Sequence, residues 1–140
     1  MGLYLCVFRD DAVDEEVEGV EVGSYGDFHR FRQTVADNLE GGQWGSRFPV
    51  LMDHDDSDGV WSPEDATRLE SELLTIADGF AALPPIDFDA DWQLELADRD
   101  GIAPRSLLES FIDVDGEPLL ERLIELARTA VAVRMPIWFQ

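Results

Sequence analysis

At 140 residues the chain is the size of one domain, long enough to bury an apolar core without disulfides or metals. Its charge is lopsided: 31 acidic residues against 10 basic ones give a formal net charge of −21, and every basic residue is an arginine. Such a field repels nucleic acid and anionic membranes and attracts basic partners, while an apolar content of 45% excludes disorder by composition. Acidity of this degree also serves solubility alone, or reflects a high-salt or GC-rich host, so charge by itself leaves its purpose open.

The first apolar run, Gly2–Phe8, carries apolar side chains on both alternating sets and predicts a central strand. Its Cys6 is the only cysteine, which excludes an intramolecular disulfide and reads as a buried core thiol. The run ends at Arg9, Asp10 and Asp11, without the basic start and long apolar stretch of a secretion signal. No run reaches membrane-spanning length, so the expected location is the cytoplasm.

After an acidic loop from Arg9 to Glu16, Val20-Glu21-Val22 predicts a short strand. Ser24 with Asp27 three residues on resembles a capping box, and Phe28, Phe31, Val35 and Leu39 form one helical stripe ending at Gly41-Gly42. His29 lies off that stripe and is expected at the surface. Phe48–Met52 predicts another strand, followed by an acidic turn to Gly59.

Ser62-Pro63-Glu64-Asp65 is a strong helix start, with Leu69, Leu73, Ile76, Phe80 and Leu83 inward and Pro84-Pro85 as the stop. Trp92, Leu94 and Leu96 alternate with Gln93 and Glu95, the pattern of a half-buried strand. Arg105–Phe111 suits a short helix. Pro118–Val133 suits a long one with Leu119, Leu120, Leu123, Ile124, Ala127 and Val131 inward, and Ile137–Phe139 a last strand. The expected fold is α+β: one domain over residues 1–140, with a small mixed or antiparallel sheet of about four strands against about three long helices.

The densest chemistry is Asp53-His54-Asp55-Asp56-Ser57-Asp58-Gly59. Four carboxylates and an imidazole could hold a hard cation, but an EF-hand frame with Gly59 at position six puts His54 at one and Asp65 at twelve. The related pieces Asp98-Arg99-Asp100-Gly101 and Asp113-Val114-Asp115-Gly116 fail that frame outright, and Asp with Gly also makes ordinary turns. Phe48–Asp55 has the outline of a strand ending in an aspartyl nucleophile, yet the chain has no lysine to neutralise a phosphoryl group. Neither histidine sits beside a nucleophile in an elbow, and no glycine loop suits phosphate. No catalytic, cofactor-binding or metal-binding residue is therefore assigned, and no small-molecule substrate, nucleic-acid or membrane partner is expected. Among the tryptophans, Trp92 and Trp138 are expected in the core, and Trp44 and Trp61 partly exposed.

Six segments together are similar to a known family: Met1–Leu5, Glu18–Phe28 (EGVEVGSYGDF), Trp44–Met52 (WGSRFPVLM), Asp58–Glu64, Phe111–Leu123 (FIDVDGEPLLERL) and Pro136–Gln140 (PIWFQ). The ensemble resembles the immunity proteins of bacterial polymorphic toxin systems, specifically the family catalogued as immunity protein seventy. That resemblance implies a non-enzymatic cytoplasmic antidote that binds a cognate toxin protein and occludes it. Against a basic toxin such as a nuclease, acidic side chains would occupy phosphate-binding positions and hasten association. The residues expected at such an interface are Asp53, Asp55, Asp56, Asp58 and Trp61, with Asp14, Glu15 and Glu16. An acidic divalent-cation-binding regulatory domain and a small metal-dependent phosphohydrolase are the alternatives.

Overall fold

The computed structural model describes residues 2–10 and 15–140. In chain order the elements are β1 (Gly2–Phe8), β2 (Glu16–Ser24), α1 (Tyr25–Leu39), α2 (Pro49–Met52), β3 (Val60–Trp61), α3 (Pro63–Ala81), α4 (Asp91–Asp100), α5 (Leu119–Val133) and β4 (Ile137–Phe139), with a 3-10 turn at Leu108–Ser110 before α5. The strands form one antiparallel sheet in the order β2-β1-β4-β3, so the fold is α+β and β1 lies inside the sheet, as its two apolar sets predict.

Local chemistry sets the helix starts. Ser24 and Ser62 each accept a hydrogen bond from the backbone N–H three residues on, and the Asp27 and Asp65 carboxylates accept one from the cap N–H groups. From α1 the stripe Phe28, Phe31 and Val35 enters the core, from α3 Leu69, Leu73, Ile76 and Phe80, and from α5 Leu119, Leu120, Leu123 and Ala127. They meet Leu3, Leu5, Val7, Val20, Ile137 and Phe139 on one face of the sheet. Burial of that apolar surface is the main driving force for the fold.

The structure corrects several expectations. Phe48–Met52 is not a strand: Pro49–Met52 is a single helical turn, with proline where its missing N–H costs nothing. Trp92–Leu96 is not a strand either but belongs to α4, where Gln93 and Leu96 are buried three residues apart and Leu94 is 49% exposed. The Gln93 side-chain oxygen accepts from the N–H groups of Asp89 and Ala90, which caps that helix. Strand β2 runs the full nine residues to Ser24, well beyond Val20–Val22. Near the end of α5 it is Ala130 that turns inward, leaving Val131 exposed. Trp61 is 2% exposed, and Trp138 rises to 37%, the reverse of the sequence reading for both.

Two glycines in the Glu18–Phe28 segment have steric reasons. A side chain at Gly19 would collide with the Tyr4 hydroxyl, which lies across it. Gly23 has φ +123° and a Trp92 ring carbon 2.9 Å from where a Cβ would stand.

Cys6 is buried, and burial with the nearby charge of Glu16 pushes its thiol up to about 11. A disulfide-exchange reagent at pH 8 should therefore leave the folded protein essentially unlabelled and modify one thiol per chain after denaturation. Rapid stoichiometric labelling of the folded chain would contradict this burial.

Candidate functional site

The acidic loop sits at the end of a segment that has little regular structure of its own but many charged anchors. Glu40, the residue that closes α1, is buried, and its carboxylate accepts from the backbone N–H groups of Gly45, Arg47 and Phe48 at 3.0–3.1 Å. Glu72 of α3 takes the next two donors, Val50 and Leu51, at 3.1 and 2.9 Å. These are the free N–H groups at the start of α2, and a carboxylate is the group a helix N-terminus favours. Burial pulls the Glu72 pKa up, opposed by those two hydrogen bonds.

Arg32 of α1 closes the other end. Its Nη1 donates to the carbonyls of Leu51, Met52 and His54 at 3.2, 3.3 and 2.8 Å, and its guanidinium stacks over the Phe28 ring at 4.4 Å and near Trp44 at 5.4 Å. The residue is only 4% exposed, and burial lowers its pKa while the charges of Asp56 and Asp55 oppose that shift. Part of the loop's acidity thus stabilises a buried cation. The Trp44 indole N–H donates to Met52, the Trp61 indole N–H to Val50, and His29 stacks on the exposed flank of Trp44.

His54 joins this segment to the sheet. Its ring lies parallel to Phe139 at 4.1 Å, with Nδ1 2.7 Å from the carbonyl of Asp55 and Nε2 2.8 Å from that of Val60. Beyond it, Asp55 accepts from the N–H and hydroxyl of Ser57, which holds its carboxyl below the usual range, and Asp58 accepts from the N–H of Gly59. Asp55 thus makes an Asx turn, and the loop stands on a braced base with Asp53, Asp55 and Asp58 exposed and Asp56 half-buried.

Among the described residues, no three His, Cys, Asp or Glu side chains are gathered as a metal ion requires. The strand needed to present Asp53 as a nucleophile is a helical turn instead. The two other Asp-Gly pieces are structural: Asp98–Gly101 ends α4 with Gly101 as a left-handed cap, and Asp113 accepts from the N–H groups of Asp115 and Glu117. Asp113 is buried beside Arg122 at 3.2 Å, and its desolvation raises its pKa.

The remaining expected contact residues lie elsewhere. Glu15 pairs with Arg9 at 3.2 Å, and Glu16 accepts the Tyr4 hydroxyl at 2.7 Å, both at the outer strand β2 and across the sheet from the Asp53–Asp58 loop. Asp14 lies outside the described residues. Trp61 shapes the base of the loop from within the core and presents no surface. Sequence reasoning missed Trp138, whose exposure follows from its place between the buried Ile137 and Phe139.

The domain is α+β and presents exposed carboxylates on a braced loop. The family model described as Immunity protein 70 matches residues 3–139, nearly the whole chain, and the protein belongs to that family. No curated protein and no solved structure matches it. Among the described residues, no helix is long and apolar enough to cross a membrane.

Replacing Arg32 by methionine should lower the unfolding free energy by about 3 kcal/mol, because the carbonyls of Leu51 and His54 lose their donor, while that of Met52 keeps the Trp44 indole. Lysine should restore little of it, lacking the planar fork and the stacking. Chemical denaturation of the three proteins checks this, and a methionine variant of wild-type stability would contradict the clamp.

Proposed function

We propose that the protein is a cytoplasmic antidote that binds a cognate bacterial toxin domain and neutralises it by occlusion, with no catalytic step of its own. Membership of an immunity protein family over residues 3–139 carries this reading. The net charge of −21 adds the partner's chemistry: a basic toxin, of which a nuclease is the class whose phosphate-binding surface best suits carboxylates. A small molecule, a nucleic acid and a membrane all fit this charge and site worse.

The braced loop supports the same reading. A binding surface already held in one conformation loses little entropy on association, and Asp53, Asp55, Asp56 and Asp58 supply long-range attraction. Glu15 and Glu16 extend that field from the other edge of the sheet.

The direct test is co-expression with the toxin domain encoded in the same locus. Growth should be restored, and the purified toxin should lose activity at one equivalent of this protein. Toxicity unaffected by the protein would refute the reading. Changing Asp53 and Asp58 together to asparagine spares the two acids that support Arg32. It should slow association about tenfold at low salt and much less at high salt. Stopped-flow mixing reads this, and an unchanged rate removes the loop from the interface.

A further inference from the structure

The sheet has one face that the helices cover and one that they do not. Leu3, Leu5, Val7, Ile137 and Phe139 belong to the core cluster, whereas Tyr4, Val60 and Trp138 lie outside it, on the same face as the buried Cys6 and Phe8. Strand pairing places Gly19, Cys6, Trp138 and Val60 in a single row across all four strands. With about 4.8 Å between neighbouring strands, that row is roughly 14 Å wide. Trp138 stands near its middle, 37% exposed, and Tyr4 and Val60 are half-buried beside it.

Carboxylates border this row on both sides. Exposed Glu16 and Glu21 lie on β2, and exposed Asp58 leads into β3. The arrangement is an aromatic centre with an acidic rim, the complement of a cationic surface with an apolar centre. A second copy of the chain is the wrong occupant, since each copy carries a net charge of −21.

The outer edges of the sheet offer no simple alternative. On β2 the carbonyl of Gly19 accepts from Arg122 at 2.8 Å, and that of Glu21 accepts from the Val114 N–H at 3.0 Å. On β3 the carbonyl of Val60 is met by the His54 ring. Closing these groups blocks a partner from adding a strand there.

We propose that the uncovered sheet face centred on Trp138, with Tyr4, Val60, Glu16, Glu21 and Asp58 around it, is the surface that receives the basic toxin. This rests on the immunity reading. An arginine or lysine of the toxin lies against the indole ring, and neighbouring cations pair with the rim carboxylates. The Asp53–Asp58 loop then steers the approach from one border while the sheet face forms the buried centre.

The test titrates the toxin domain encoded in the same locus against the purified wild type and three variants. Trp138→Ala and Glu21→Lys should each weaken binding at least about tenfold. Leu94→Ala, which removes an exposed apolar side chain on α4, should bind as the wild type does. Near-ultraviolet circular dichroism and melting temperature report whether Trp138→Ala keeps its fold. If it does not, the solvent-exposed Glu21→Lys decides alone. Wild-type binding by both face variants, or loss of binding in Leu94→Ala with the face variants intact, overturns the proposal while leaving the immunity reading standing. A wild type that does not bind the toxin overturns both.

Discussion

A buried guanidinium with no carboxylate in direct contact is an expensive group, and this protein places one beneath its most acidic loop. Arg32 is affordable because three backbone carbonyls and two aromatic rings surround it and because Asp55 and Asp56 lie within its field. Glu40 and Glu72 do the converse, turning five backbone N–H groups inward. Together with the buried side chains of Phe48, Leu51 and Met52, these three side chains hold the 45–54 segment, which has one helical turn. At the end of that segment His54 stacks on Phe139, beside the pairing of β3 with β4.

This separates two roles for the acidity that composition merges. Some carboxylates face inward: Glu40, Glu72 and Asp113 satisfy backbone donors or the half-buried Arg122, and their removal would damage the fold. Others, such as Asp53, Asp58 and Glu21, are exposed and contribute chiefly to the external field. Asp55 and Asp56 do both. The exposed group is the one on which the proposed antidote role draws.

What could be read in the sequence was local. Both serine capping boxes are written within four residues, and the stripes of α1, α3 and α5 repeat over several turns. What could not be read was set from a distance. Phe48–Met52 is apolar enough for a strand, but donors at its start are taken by Glu72 and acceptors at its end by Arg32, each about twenty residues away. The alternation at Trp92–Leu96 fits a period of two, and a Gln93–Leu96 spacing of three fits a helix equally well; a capping glutamine decided it. Trp61 and Trp138 exchanged their expected places because a two- or three-residue strand is too short for its pattern to show which side faces inward.

The bracing is tested most directly by native-state amide hydrogen exchange of the free protein. The N–H groups of Gly45, Phe48, Val50 and Leu51 should exchange as slowly as those inside α1, although they lie in or beside a loop, because the carboxylates of the buried Glu40 and the half-buried Glu72 hold them. Exchange at the rate of an open surface loop would contradict the account, and with it the claim that the acidic loop is presented in one fixed conformation.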